Sequence, residues 1–203
     1  MVDKFLNFLV YEKRVSQNTK LAYEKDLDQF FAFIQTQYHL NSEQDVIHAH
    51  LRAWVVSLIE SQLNPVSVNR KIACLKSYFK FLRSRGFIVN NPASRIRPLK
   101  TEKKLPSFLR LSETTLLLDH IEYENSFSGK RDKLVIELLY ASGIRLSELI
   151  NLKKDDVNFY DGTLKVIGKR NKERLVPINE FLIKIIESYL QEYKSEEKST
   201  AYL

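Results

Sequence analysis

The sequence predicts a mainly α-helical first half, a bundle of four or so helices, followed by an α+β region with a small antiparallel sheet. Two patterns carry this prediction. Apolar residues recur at steps of three and four through residues 1–86, as they do in amphipathic helices. Residues 163–167 and 174–177 are instead short β-rich segments on either side of a turn. The chain therefore changes from helical to mixed architecture near its middle.

Four amphipathic helices are expected in the first half. They are predicted over residues 4–12, after Ser16 to Asn18, over residues 48–60, and after Asn64 and Pro65. Gly86 ends the fourth helix, and the Asn-Asn-Pro sequence at 90–92 blocks its continuation. A further helix is expected from residue 115 to 121, and another from 181 to 193.

The stretch from Lys130 to Pro177 contains an apolar helix, a glycine, a second helix that opens on Arg145, and a basic hairpin. Gly143 can leave helical geometry at low cost. A helix start is a favourable place to hold a phosphate, because its unpaired amides and positive dipole end attract an anion and a guanidinium can bind two oxygens. Glu148 lies one turn along and can hold the arginine stem. The hairpin tip carries three cations, Lys169, Arg170 and Lys172, of which Arg170 and Lys172 are candidate DNA contacts.

Positive charge is concentrated in the first half of the chain. The formal net charge is +7; residues 1–100 carry 15 lysines and arginines against 8 acidic residues, whereas residues 101–203 carry 17 of each. Residues 64–104 hold 11 of the cations and a single glutamate. This density predicts a polyanionic partner. The alternatives are a basic solvated surface and an acidic protein partner.

Candidate nucleic-acid contacts cluster on the predicted fourth helix. Lys76, Lys80 and Arg83 fall within about 60° of one another on a helical wheel, a cationic stripe beside an apolar one. Such a helix can pack on its neighbours while neutralising phosphates. Further candidates lie near the starts of the second and fourth helices and in the segment after the fourth. They are Asn18, Thr19, Lys20, Ser67, Asn69, Arg70, Lys71, Arg95 and Arg97.

Several classes of protein are disfavoured. The single cysteine, Cys74, lies in an apolar helical pattern, so a disulfide within the chain is excluded. No run approaches 18 apolar residues and no signal-peptide core follows Met1, so we expect a cytoplasmic protein with no membrane partner. No phosphate-binding glycine loop of the GxxxxGK[ST] type occurs, and neither a metal nor another cofactor is expected.

Two motifs in the second half resemble the tyrosine recombinase (phage integrase) family, and most closely its bacterial Xer branch. They are A-S-G-I-R-L-S-E-L at 141–149 and V-I-G-K-R-N-K-E-R-L-V-P at 166–177, with Lys169 placed 24 positions after Arg145. The pattern T-x-x-x-Y-x-x-D-L-x-x-F from Thr19 to Phe30 and the S-x-x-R at Ser67 are similar to the family's core-binding domain. The resemblance implies a SAM-like, helical core-binding domain at 1–98, a basic linker at 99–106 and the front portion of the catalytic domain at 107–203.

The resemblance also implies a chemistry. A recombinase of this family cuts one DNA strand with a tyrosine, keeps the bond energy as a 3′-phosphotyrosine and passes the strand to a 5′-hydroxyl of a partner duplex. By resemblance, Arg145 clamps the non-bridging oxygens of the scissile phosphate, Lys169 protonates the departing 5′-oxygen and Glu148 supports the arginine. The implied partner is double-stranded DNA, close to the nucleoid, and the family works as a tetramer on two sites.

The family's catalytic set continues with His-x-x-Arg, a further His or Trp, and the nucleophilic tyrosine. All four histidines here precede Arg145, and no tyrosine after it (Tyr160, Tyr189, Tyr193 or Tyr202) stands in the family's nucleophile context. We expect the 203 residues to correspond to about two thirds of a Xer-sized protein, to bind DNA without cleaving it, and not to form the tetramer.

Other functions stay open from the sequence. One is a non-catalytic DNA-binding regulator derived from a recombinase. Another is a helix-turn-helix transcription factor, which accounts for the charge but not for the spacing of Arg145 and Lys169. The sequence also does not choose between chromosome-dimer resolution, which would serve chromosome partition at cell division, and integration of a mobile element.

Overall fold

The computed structural model describes residues 1–102 and 107–195, apart from the side chains of residues 111, 170 and 192–195. The chain divides into two units, Met1–Leu105 and Pro106–Leu203. The predicted linker, 99–106, falls partly outside the described residues, so the division of the sequence at 98 and 107 stays a prediction.

Four helices build unit 1, as predicted. They are α1 (Val2–Asn7, continued by a π-type turn over Phe8–Glu12), α2 (Gln17–Tyr38), α3 (His48–Glu60) and α4 (Pro65–Ser84). Side chains cap the starts of the two longest helices: the Ser16 hydroxyl accepts the Thr19 N–H at 3.3 Å, and the Asn64 amide oxygen accepts the Val66 N–H at 2.9 Å. Such caps satisfy amides that have no partner inside the helix.

The two longest helices run in the same direction. Three contacts establish this: Arg70 to the Ala22 carbonyl (3.3 Å), Cys74 to the Tyr23 carbonyl (3.6 Å), and the Phe79 ring to the Phe30 ring (6.2 Å between centroids). Residue numbers rise together along α2 and α4, so both helices begin at the same end of unit 1. Their positive dipole ends therefore lie side by side.

The core of unit 1 is rich in aromatic side chains. Phe5, Phe30, Tyr78 and Phe79 are fully buried, and their rings contact one another edge to face or in tilted pairs. The Tyr78 hydroxyl donates to the Glu43 carboxylate at 3.0 Å, which satisfies a polar group at the edge of the core. Burial raises the pKa of Tyr78, so this side chain stays neutral.

The segment after α4 runs back over the bundle. The Pro92 carbonyl lies 3.1 Å from Nδ1 of His48, at the start of α3, and Ala93 is buried. The segment then reaches α4 again, where the backbone of Leu99 pairs with the side chain of Asn69. Residues 97–100 therefore lie near the end of unit 1 at which α4 begins.

Unit 2 combines helices with a small sheet. Its elements are α5 (Leu111–Thr115, continued by a π-type turn over Leu116–His120), α6 (Phe127–Ser142), α7 (Leu146–Ile150), β1 (Val157–Asn158), β2 (Thr163–Ile167), β3 (Glu173–Pro177) and α8 (Glu180–Ser195). The strands form an antiparallel sheet in the order β1-β2-β3, with Leu164 opposite Val176. The predicted fold class is confirmed.

One face of the sheet packs on the helices of unit 2. Leu164 and Val166 alternate with exposed residues along β2 and are buried against a helical layer in which α6 packs on α8. Strand β1, which sequence reasoning missed, has two residues. It is too short to show the alternation that identifies a strand. Among the described helices, none combines the length and apolarity needed to cross a membrane.

Two glycines of unit 2 differ in what a side chain would meet. A Cβ at Gly129, in the first turn of α6, would lie 2.1 Å from the Glu124 carbonyl oxygen, whereas a Cβ at Gly143 would meet no atom within 4 Å. Gly143 nevertheless has a φ of +60°, which disfavours other residues.

We predict that Gly129→Ala destabilises unit 2 by about 3 kcal/mol because the backbone must move. Gly143→Ala, the matched control, should cost only about 1–2 kcal/mol, the penalty of the left-handed conformation. Hydrogen exchange measured on peptides from residues 127–190 reports the stability of unit 2 separately from that of unit 1. Equal effects of the two substitutions would contradict the close approach at Gly129.

Candidate functional site

Arg145 stands at the start of α7 with its side chain 69% exposed. Gly143 adopts the left-handed conformation that ends α6, and Arg145 then has the extended backbone of an N-cap residue. The guanidinium thus projects from a sharp break between two helices, as the sequence predicted.

Glu148 is the buried partner that holds this corner. Its side chain is 1% exposed and accepts four hydrogen bonds. Two come from Arg145, from its backbone N–H at 2.8 Å and from Nη1 at 2.9 Å. Two come from Arg174 on β3, from Nη1 at 2.7 Å and Nη2 at 2.8 Å, a bidentate pair. One carboxylate therefore ties the start of α7 to the third strand.

These contacts keep Glu148 ionised. The Arg174 guanidinium, and after it the Arg145 backbone N–H, lower the pKa of Glu148 to about 2, although burial acts in the opposite direction. The same interaction raises the pKa of Arg174. The site thus carries two guanidinium groups around one carboxylate, a net positive charge.

The hairpin between β2 and β3 lies against the same carboxylate. It closes with a hydrogen bond from the Gly168 N–H to the Lys172 carbonyl at 2.8 Å, around a single 3₁₀ turn over Lys169–Asn171. A Cβ at Gly168 would lie 3.2 Å from Oε1 of Glu148, so only glycine fits here without a shift. Glu148 thus binds Arg145 and leaves little room for a side chain at the residue before Lys169.

The cations of the hairpin tip follow Gly168 directly in the sequence. The side chains of Lys169 and Lys172 are exposed, and that of Arg170 lies outside the described side chains. Within residues 1–102 and 107–195 no three His, Cys, Asp or Glu side chains are grouped as metal ligands. The charge that this corner can offer an anion therefore comes from its arginines and lysines.

In unit 1, six of the predicted DNA contacts lie at one end, where α2 and α4 begin. Asn18, Thr19 and Lys20 stand in the first turn of α2, and Ser67 and Arg70 in the first two turns of α4. Arg97 reaches this end because Leu99, two residues later, is bound to Asn69. The exposed members of this set and two helix dipoles favour an anion at this end.

Two of the predicted contacts have other partners. Asn69 donates to the Leu99 carbonyl at 3.0 Å and accepts from its N–H at 2.7 Å, so both ends of the amide are engaged within the protein. Lys71 is buried, and its ammonium donates to Asp26 at 2.9 Å. The prediction that Lys71 contacts DNA does not fit this placement. Its spacing from Val68 and Leu75 puts it on the buried side of α4, a signal present in the sequence.

The remaining contacts predicted in unit 1 lie elsewhere. Arg83 and Arg95 line an open cavity of about 790 Å³ beside the end of α4, together with His48 and Asn91. Arg70 and Arg83 are about 20 Å apart along the helix, at 1.5 Å per residue. Lys76 and Lys80 lie between them. The predicted contact residues therefore extend over most of the length of α4.

Sequence reasoning missed three residues that organise these surfaces. Asp26 and Gln29 on α2 bind Lys71, and Arg174 binds Glu148. An aspartate among the apolar positions of α2, between Tyr23 and Phe30, was the available signal, because a buried carboxylate requires a partner. The partners lie 26 to 45 positions away in the sequence.

Comparisons with known proteins agree with this geometry. Residues 2–86 match the model described as "Phage integrase, N-terminal SAM-like domain", and residues 107–203 match "Phage integrase family".

Relatives are similar along the whole chain. A tyrosine recombinase XerC of Oceanobacillus iheyensis is 36% identical over 98% of this chain and 66% of its own length. A XerC of Staphylococcus epidermidis is 37% identical over 96% of this chain and 65% of its own length. A tyrosine recombinase XerD of Listeria innocua is 33% identical over 100% of this chain and 68% of its own length. The chain spans about two thirds of the length of these relatives.

Solved structures share the fold. The Tn1549 transposon integrase in complex with transposon right end DNA has a TM-score of 0.69 at 20% identity, over 92% of this chain and 64% of that one. A lambda integrase tetramer bound to a Holliday junction has a TM-score of 0.68 at 20% identity, over 96% of this chain and 55% of that one.

We predict that Asn69→Ala releases the segment around Leu99. The Leu99 amide should exchange with solvent at least ~10-fold faster, and unfolding should cost ~1–2 kcal/mol less, because two backbone groups lose their partner. Asn69→Asp is the matched control: it keeps the acceptor for the Leu99 N–H and should retain most of the protection. Unchanged exchange of Leu99 in Asn69→Ala, measured by NMR, would argue against the contact.

The stability of unit 2 should depend on Glu148 in a defined pH window. Because its pKa is lowered from 4.5 to about 2, the stabilisation is complete above pH 4.5 and is lost as the pH falls towards 2. Glu148→Gln should therefore be less stable than the wild type at pH 7, by about 3 kcal/mol, and the gap should narrow between pH 4.5 and 2.

The control for this prediction is Asp132→Asn, in an exposed pair with Arg131. It should change the free energy of unfolding by less than about 0.5 kcal/mol at every pH between 7 and 2. Urea denaturation at several pH values measures both variants. If the difference in unfolding free energy between Glu148→Gln and the wild type stays constant from pH 7 to 2, the lowered pKa of Glu148 is contradicted.

Proposed function

This chain belongs to the phage integrase family of tyrosine recombinases, and from that membership we propose that it serves site-specific DNA recombination. Unit 1 binds duplex DNA, and the corner around Arg145 holds the phosphate at which a strand is exchanged. The observation that carries the proposal is the Glu148 carboxylate, which binds both Arg145 and Arg174, the strand residue that follows the hairpin tip with Lys169.

Arg145 is suited to hold the non-bridging oxygens of a phosphate. It keeps its charge at any physiological pH, and its planar fork matches two oxygens at once. Phosphoryl transfer depends mainly on positioning and on stabilising negative charge. Glu148 holds the Arg145 guanidinium before DNA binds, so the arginine side chain loses little conformational freedom on binding.

Lys169 is suited to deliver a proton to the departing 5′-oxygen. Its ammonium stands on the single turn between β2 and β3, and Arg174, just after this hairpin tip, binds Glu148 through two hydrogen bonds. DNA placed over the turn would desolvate the ammonium, which favours transfer of its proton.

The partner is double-stranded DNA, and we place the protein on chromosomal DNA, at the nucleoid. In unit 1, the end where α2 and α4 begin supplies phosphate contacts through Lys20, Arg70 and Arg97. Lys76 and Lys80 extend the positive surface along α4. These contacts neutralise the negative charge of the DNA backbone. A protein recognises the DNA sequence through contacts with the edges of the bases.

A second candidate function is DNA binding without strand cleavage. Two described tyrosines follow Arg145 in unit 2 with side chains that can be placed: Tyr160 is 98% exposed on the turn before β2, and Tyr189 is buried with its ring 5.3 Å from that of Phe127. A nicked suicide substrate separates the two functions. A covalent protein–DNA adduct supports cleavage by this chain, and a purely non-covalent complex supports binding alone.

We predict a strong salt dependence of DNA binding. If about five phosphates are contacted, the affinity should fall about 500-fold between 50 and 200 mM NaCl, a log–log slope of about −4.5. Lys20→Ala/Arg97→Ala should weaken binding and make the slope shallower by about 2. Fluorescence anisotropy with labelled duplexes measures both quantities.

The control removes the same charge from another surface. Lys4 lies over the ring of Phe87, and Arg85 follows the last residue of α4, about 30 Å along the helix from its start. Lys4→Ala/Arg85→Ala should leave the slope unchanged. Equal slopes for the two double variants would show that the proposed end of unit 1 does not contact DNA.

A further inference from the structure

Asp26 is a buried carboxylate shared by two neighbouring cations of α4. Its side chain is 1% exposed. Oδ1 accepts a hydrogen bond from the Lys71 ammonium at 2.9 Å, and Oδ2 accepts one from Nη1 of Arg70. A buried carboxylate is costly unless it is paired and hydrogen-bonded, and both conditions are met here.

Lys71 neutralises this carboxylate inside the protein. Its side chain is 7% exposed, its ammonium also donates to the amide oxygen of Gln29, and it lies 5.8 Å from the centre of the Trp54 ring. The ammonium is thus enclosed by a carboxylate, an amide and an aromatic face. Asp26 and Lys71 together form a buried pair with no net charge.

Arg70 is held by the same carboxylate but reaches the surface. Its side chain is 43% exposed, and Nη1 donates both to Asp26 and to the Ala22 carbonyl in the second turn of α2. The guanidinium therefore links the second turn of α4 to the second and third turns of the parallel helix α2. Because Lys71 already balances Asp26, the positive charge of Arg70 is not cancelled at this end of unit 1.

We propose that Asp26 is a positioning residue for DNA binding, which aims Arg70 at a backbone phosphate while Lys71 balances the buried charge. The proposal rests on the function proposed above. An arginine that is held before binding loses less side-chain freedom on contact, so more of its interaction with a phosphate appears as affinity. Asp26 itself need not touch DNA.

The test is a pair of substitutions that leave the net charge unchanged. Asp26→Asn alone would strand the buried ammonium of Lys71 and lower stability. Asp26→Asn/Lys71→Met removes both charges and keeps the volume of both side chains close to the original. This variant should fold, as judged by circular dichroism and thermal unfolding. Its affinity for duplex DNA at 100 mM NaCl should fall about fivefold.

Two further variants show whether the loss acts through Arg70. On an Arg70→Ala background, adding Asp26→Asn/Lys71→Met should change the affinity by less than about 1.5-fold, because the residue being positioned is absent. The matched control, Glu12→Gln/Arg85→Gln, removes an exposed ion pair at another part of unit 1 without changing the net charge. It should bind as the wild type does.

A direct readout makes the proposal independent of the binding assay. In the wild type, ¹⁵N NMR of the arginine side chains should show restricted rotation of the Arg70 guanidinium, assigned by its absence in Arg70→Lys. In Asp26→Asn/Lys71→Met the rotation should become fast. Unchanged rotation, or a fivefold loss that persists on the Arg70→Ala background, overturns the positioning role. If Arg70→Ala binds DNA as tightly as the wild type does, two claims are overturned together. They are the positioning role of Asp26 and the proposal that the end of unit 1 where α2 and α4 begin contacts DNA.

Discussion

The second unit depends on a single buried carboxylate. Glu148 accepts bonds from the backbone and side chain of Arg145 and from both terminal nitrogens of Arg174, so one side chain fixes the helix start, the strand and the hairpin between them. Its isolation from water is stable only because each oxygen is shared by two donors. Loss of either arginine would leave the buried charge of Glu148 without enough partners. The geometry around Arg145 is therefore coupled to the folding of unit 2.

The first unit uses the same arrangement in a helical setting. Asp26 is buried, shares its oxygens between two cations and leaves one arginine at the surface. In both units the exposed arginine is oriented by an anion behind it. This arrangement orders the charged side chain during folding, so less order has to be created when an anion binds.

The arrangement also explains how each unit keeps positive charge at its surface. Permanent guanidinium charges do not depend on pH in the physiological range, and a carboxylate shared between two cations leaves a net positive charge in place. At the surface of unit 1, the dipoles of α2 and α4 add to this field because the two helices start at the same end.

The amino-acid sequence predicted much of this molecule. The four helices of unit 1 and the hairpin of unit 2 follow from apolar spacing, glycine and proline positions and β-rich composition, all of which act within a few residues. The position of Arg145 beside a chain break and its contact with Glu148 followed from the same local signals, since residues three apart on a helix are neighbours.

Sequence reasoning was less successful where a side chain's partner is distant. Lys71 was assigned to the DNA surface because it follows Arg70 in a basic stretch, yet the helix turns by 100° between them and places Lys71 inside. Asn69 was assigned to the same surface, and the returning segment at Leu99 engages both ends of its amide.

What the sequence determined by itself was therefore most of the elements and the first half's excess of positive charge. Only the tertiary structure decided which cations remain available to an anion. The physical reason is that Glu148 and Arg174 are 26 positions apart and Asp26 and Arg70 are 44 apart, so their pairing exists only once the chain has packed. Burial and charge pairing, rather than residue type, select the arginines that face the solvent.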